Sequence, residues 1–210
     1  DWVQQIGGSY VHVNSLMTGY ESEHTYSPKP SDLVAVRKAA LLFEVGAGLE
    51  VWVSSLVKNA GNGSLRVVTT SKDIELIQDH PEPAGTIHSH EHAAGNPHVW
   101  LDPAAAATMV QHISDAMVAA DPAHATDYRT NTATYLQALT RVQDESLARL
   151  RSLPSRAVIV HHPAWPYFAK RFGFIIAGNI IHQAGTEASA KQIGFLVNLI
   201  KKENIRVIVS

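Results

Sequence analysis

The feature that most constrains this chain is a stretch from Ala123 to Leu153 that contains neither Gly nor Pro. Tyr128, Tyr135, Leu139, Val142 and Leu150 recur within it at three- and four-residue steps, the period of one helix face. At 1.5 Å per residue such a helix is on the order of 45 Å long, too long to form one layer of a small lobe. It reads as a spine between two lobes. By length alone, the 210-residue chain could form one large domain or two small lobes.

On both sides of the spine, short apolar runs alternate with helical patterns. Before it, Tyr10–Val13, Leu41–Val45 and Leu65–Thr69 read as strands, and Leu33, Val36 and Ala40 as one face of a helix opened by Ser31 and Asp32. Leu49–Val57 returns to a helical period, and Asp102 followed by Pro103 signals a helix to about Ala120. After the spine, Ala157–Val160, Phe174–Ile181 and Ile205–Val209 read as strands, with helices over Ala164–Phe172 and Ser189–Asn204. The alternation predicts an α/β chain with parallel sheets: a lobe over 1–121, a spanning helix over 122–153 and a second lobe over 154–210. The last strand has no helix after it, so the second lobe is expected to be incomplete and the chain truncated.

Composition removes several classes of function. Seventeen Lys and Arg against nineteen Asp and Glu, with no basic run, argue against a nucleic-acid surface. No apolar stretch reaches the roughly 18 residues of a membrane span, and Asp1-Trp2-Val3 shows no signal-peptide pattern. With no Cys, thiolate metal sites, disulfides and Cys nucleophiles are all absent, which leaves imidazole and carboxylate as metal ligands. Against that background, twelve His stand out.

Three His-bearing motifs fall at element boundaries: Glu23-His24-Thr25-Tyr26-Ser27-Pro28-Lys29-Pro30, Asn96-Pro97-His98-Val99-Trp100-Leu101-Asp102-Pro103, and His161-His162-Pro163-Ala164-Trp165-Pro166. In open α/β sheets, ligands gather at strand ends, where His24 and His162 are expected. Each residue also has a plainer reading. A lone loop His is ordinarily a surface side chain, Asp102 is an N-cap, Asp32 is a first-turn charge, and Trp100 and Tyr167 are packing residues.

Taken together, the three segments resemble the signature segments of the zinc/manganese substrate-binding proteins of bacterial ABC transporters. The resemblance extends over almost the whole chain, including Gly46-Ala47-Gly48-Leu49-Glu50. It implies two (βα) lobes joined by one long helix, with a divalent metal between them. His24 and His98 would be ligands from the first lobe and His162 from the second, with His161 the alternative. It also implies a fourth, carboxylate ligand further along the second lobe, beyond Ser210. Glu187 corresponds to a recurrent acid, read as a hydrogen-bond partner behind the ligands or as a helix-start charge. Three imidazoles and a carboxylate suit zinc better than manganese, which is the alternative metal.

The implied protein is a monomeric extracytoplasmic or periplasmic carrier, free or lipid-anchored, that hands its ion to an ABC permease and catalyses nothing. A zinc-dependent hydrolase and a metal-free adhesion or interaction protein are the other classes; no His-Glu-x-x-His pattern supplies a hydrolase's general base. The tract His88-Ser89-His90-Glu91-His92 reads either as an auxiliary weak metal loop or as a solvated segment. His12, His80, His112, His124 and His182 are read as structural or surface residues.

Overall fold

The computed structural model describes residues 1–78, 95–182 and 185–210. Its helices and strands form two compact units, Asp1–Arg141 and Val142–Ser210. The division falls inside one helix.

The first unit opens with α1 (Trp2–Gly7), which the sequence reading missed, and a 3-10 turn over Gly8–Tyr10. There follow α2 (Pro30–Lys38), β1 (Leu41–Glu44), α3 (Val53–Ala60), β2 (Arg66–Thr69), a 3-10 turn over Val99–Leu101 and α4 (Pro103–Ala120). A further 3-10 turn over Pro122–His124 leads into α5, Ala125–Leu150. β1 and β2 pair in parallel, Leu41 opposite Arg66 through Glu44 opposite Thr69.

α4 shows why its sequence is helical. Ala106, Met109, Val110, Ile113, Ser114 and Met117 are its buried residues, spaced by three and four, so one stripe faces inward. Val110, Ile113 and Met117 pack with Ile6 and Tyr128 into the main core of this unit. Each such side chain contributes about 2 kcal/mol by leaving water. A second core under α2 and α3 joins Val36, Leu56 and Ala60 to Trp52 and Leu65.

The second unit holds the end of α5, then β3 (Ala157–Val160), α6 (Pro166–Phe172), β4 (Ile175–Asn179), α7 (Ala190–Glu203) and β5 (Ile208–Val209). Its sheet is parallel throughout, in the order β4-β3-β5. α7 lays Leu196 against Ile159 and Ile205. Gly178 permits that approach, because a Cβ there would lie 2.7 Å from a Leu196 methyl.

Helix and parallel strand alternate as the sequence implies, but several boundaries are corrected. Tyr10–Val13 is not a strand: Tyr10 ends a 3-10 turn and Val11 is extended but unladdered. Val11 packs its side chain beside Leu41 and Phe43 on the core around Ile6 and Val110 without entering a ladder, and Val11 and Val13 both line a cavity of about 1050 Å³. The Leu49–Val57 helix begins only at Val53, because Glu50 turns back to accept the backbone N–H groups of Val45 and Gly46 at 2.8 and 2.9 Å. Burial raises the Glu50 carboxyl pKa, against the pull of those two bonds. Gly46 makes this turn at φ 82°, where other residues are strained. The last strand shortens to Ile208–Val209, since Asn204 adopts a left-handed cap and the Ile205 N–H bonds back to the Ile200 carbonyl. Pro166 sets the start of α6 two residues later than Ala164. The turn at Pro122–His124 delays α5, and its 26 residues make about 39 Å of helix.

Candidate metal centre

His98 is positioned by a locally determined turn. Pro97 restricts the backbone before it, and the Asn96 side chain reaches forward two residues so that its Oδ1 accepts the His98 backbone N–H at 3.1 Å. The Asn96 N–H donates to the Ile77 carbonyl at 2.8 Å, fixing the turn to the rest of the unit. Directly after it, the Asp102 carboxylate caps α4 by accepting the Ala104 N–H at 2.9 Å, with Pro103 at the first helical position. Asn96 and His98 are each only 2% exposed.

His24 lies in irregular chain held from elsewhere. The Trp52 indole N–H donates to the Glu23 carbonyl at 3.0 Å, immediately before His24. Two residues after His24, the Tyr26 hydroxyl lies 2.8 Å from both the Leu16 carbonyl and the Asp32 Oδ2, and its ring meets the Trp52 ring edge-on. Asp32 Oδ2 also accepts the Lys29 N–H at 2.7 Å, so this buried carboxylate caps α2 and anchors the His24 segment together. The bond to Asp32 holds the Tyr26 hydroxyl pKa up at about 12.

These two frames bring the imidazoles of His24 and His98 together. Their Nε2 atoms are 3.2 Å apart, although the residues are 74 positions apart in sequence. The His24 side chain is 4% exposed. Asn96 Oδ1 lies 2.9 Å from His98 Nδ1 and already accepts the backbone N–H, so it faces the ring as an acceptor. An acceptor facing Nδ1 is matched by a hydrogen on that nitrogen, an arrangement that turns the lone pair of Nε2 toward His24. Two buried imidazole nitrogens at this distance share either a proton or a cation. The Glu23 carboxylate, 3.9 Å from His24 Nε2, adds negative charge that favours a cation.

In the second unit, His162 lies two residues past the end of β3, the central strand, and is half-buried. Its carbonyl accepts the Ala164 N–H at 2.8 Å in the turn before α6. His161 is exposed, and its backbone is taken up by flanking strand connections: its N–H donates to the Val209 carbonyl at 2.7 Å and its carbonyl accepts the Ile181 N–H at 2.9 Å. Glu187 is exposed, two residues before Ser189, whose hydroxyl caps α7 by accepting the Gln192 N–H at 3.1 Å. His88, His90, Glu91, His92 and His80 lie outside the described residues.

Of the remaining His, His112 places Nδ1 2.8 Å from the Thr70 carbonyl and ties α4 to the end of β2. His124 stacks on Tyr10 and sits 2.6 Å from the Asp121 carboxylate, which the hydrogen bonds of Tyr128 and His124 hold below its usual pKa. Both are structural, as the sequence suggests. What the sequence reading missed are the supports: Asn96, Glu23 and Trp52. Asn96 had a legible signal, an Asn two residues before a His across Pro. Trp52 had none.

Comparison with known proteins places the chain among relatives named for metal binding. The chain is 30% identical, over 99% of its own length and 67% of the other's, to a putative metal-binding protein of Treponema pallidum (strain Nichols). It is 28% identical to the manganese-binding lipoprotein MntA of Halalkalibacterium halodurans, over 96% of this chain and 64% of that one. The chain thus spans about two thirds of the length of these relatives. A crystal structure of ZnuA superposes with a TM-score of 0.84 at 29% identity, covering 97% of this chain and 74% of that one. The family model described as "Zinc-uptake complex component A periplasmic" matches residues 1–210, and the chain belongs to that family.

Proposed function

We propose that the chain is the metal-capturing part of an extracytoplasmic solute-binding protein that takes up a divalent ion, zinc first, and delivers it to an ABC permease. His24, His98 and His162 are the ligands, and His161 is the substitute for His162. A carboxylate or a water completes the coordination. Glu187 acts on the outside of the site as a charge near the start of α7. α5 spans between a first lobe over 1–121 and a second over 154–210 and limits how far they open. The protein acts as a monomer, by capture and release, with no chemical conversion.

The observation that carries this reading is the buried pair of Nε2 atoms in the first unit, 3.2 Å apart. Neutral imidazole is a good ligand for zinc, and a set rich in nitrogen favours it over manganese, which prefers oxygen. Manganese remains the second reading because one relative is named for binding it. Because imidazole must shed its proton to bind, affinity should fall as pH drops through roughly 6.5, the ordinary imidazole range.

Elemental analysis with zinc and manganese titrations, on the wild type and on His98→Ala, tests the proposal. One ion per chain, zinc tighter than manganese, and a loss of about 100-fold or more in the variant are expected. Equal stoichiometry and affinity in the two proteins would remove the assignment.

A further inference from the structure

We infer that Asn96 is a positioning residue for the metal centre, fixing the tautomer of His98 so that Nε2, and not Nδ1, is presented to the ion. The inference rests on the metal-binding reading above. Its basis is one oxygen with two donors: Asn96 Oδ1 is 3.1 Å from the His98 backbone nitrogen and 2.9 Å from His98 Nδ1. A buried carboxamide oxygen satisfying both leaves the imidazole one arrangement, hydrogen on Nδ1 and lone pair on Nε2. The opposite tautomer would place two acceptors face to face in a site almost closed to water, with both residues 2% exposed.

The same bonds fix the direction of the ring. The Asn96 backbone is anchored by its N–H to the Ile77 carbonyl, and Asp102 caps α4 four residues after His98, so the turn that carries the ring is held on both sides. Ligand imidazoles are commonly oriented by a partner on the other ring nitrogen, which is often a carboxylate. Here the partner is a neutral amide. It orients the ring without adding negative charge, which suits a carrier that must also release its ion. A carboxylate at position 96 would accept the same two hydrogens and raise the basicity of the ring.

The test reads the His98 tautomer directly by long-range ¹H–¹⁵N NMR of the metal-free 210-residue chain, and zinc affinity by competition with a chelator. In the wild type, His98 should show the Nδ1–H form. Asn96→Leu should mix the tautomers and weaken zinc 10–100-fold with the far-UV spectrum preserved. Asn96→Asp should restore the Nδ1–H form and bind zinc at least as tightly as the wild type. An Nε2–H tautomer in the wild type would overturn the inference, as would Asn96→Leu binding zinc within threefold of it. If Asn96→Leu does not fold, the wild-type tautomer and Asn96→Asp decide: weaker zinc binding in Asn96→Asp counts against it. Failure of the wild type to bind zinc would sink the metal-binding reading instead, and leaves the tautomer measurement to stand on its own result.

Discussion

The His24 and His98 side chains nearly touch, yet their segments are held in opposite ways. His98 sits in a turn supported by side chains of its sequence neighbours, Asn96 two residues before it and the capped start of α4 just after, and tied to the rest of the unit through the Ile77 carbonyl. His24 sits in irregular chain whose supports come from a distance, Trp52 in the residue before α3 and Asp32 in the first turn of α2. A locally wired ligand keeps its orientation as long as its own turn persists. A ligand pinned by distant side chains depends on the packing of two helices. The difference teaches that His24 is the member of the pair whose position is coupled to the stability of the fold.

The sharpest way to break that contrast is Asp32→Ala. It strips the acceptor from the Lys29 N–H and one of the two acceptors near the Tyr26 hydroxyl, the Leu16 carbonyl remaining, and should cost about 1–3 kcal/mol in urea unfolding. Zinc affinity should fall with it, while the His98 tautomer stays as in the wild type. If zinc affinity is unchanged, His24 is not held through Asp32. A smaller effect is expected from Trp52→Phe, which keeps the ring but loses the N–H to the Glu23 carbonyl: about 1 kcal/mol, again with weaker zinc.

On the His98 side, Asp102→Ala removes an N-cap and should also cost about 1 kcal/mol. Here zinc affinity should move by less than it does in Asp32→Ala, because the Asn96 turn is intact. A larger zinc loss in Asp102→Ala than in Asp32→Ala would reverse the contrast.

The smallest effect concerns the loop before His24. Glu21 accepts the Thr18 N–H and hydroxyl and is held near pKa 2 by those bonds, with Lys29 3.5 Å away. A depressed folded pKa gives stability that is present above the ordinary carboxyl value of 4.5 and lost as pH falls from there towards 2. Unfolding midpoints should therefore decline across that window in the wild type, and the decline should be shallower in Glu21→Gln. Identical slopes would show that the loop contributes nothing to acid stability.

How much of this was legible in the sequence follows from the same distinction between local and distant causes. α4 is read closely, from Asp102-Pro103 to about Ala120, because capping and a one-sided apolar stripe are properties of neighbouring residues. α7 is read as well, between the Ser189 cap and the left-handed Asn204. Tyr10–Val13 is misread because its alternation suits a strand, but a strand also needs a partner, and the sequence does not show that Val11 packs on the core without entering a ladder. Six-residue α1 is too short to carry a period. In the site, the types of the three ligand candidates could be picked out by motif. The approach of His24 to His98 could not, since it arises from the packing of elements between residues 24 and 98.

The central claim is that His24 and His98 act on one ion. Zinc affinities of the wild type, His24→Ala, His98→Ala and the double variant, measured by chelator competition near neutral pH, test it most directly. The account predicts a loss of about 100-fold or more in each single variant, with the double variant losing far less than the product of the two, because either substitution already dismantles the shared site. Affinities within threefold of the wild type in either single variant, or losses that multiply, would contradict it.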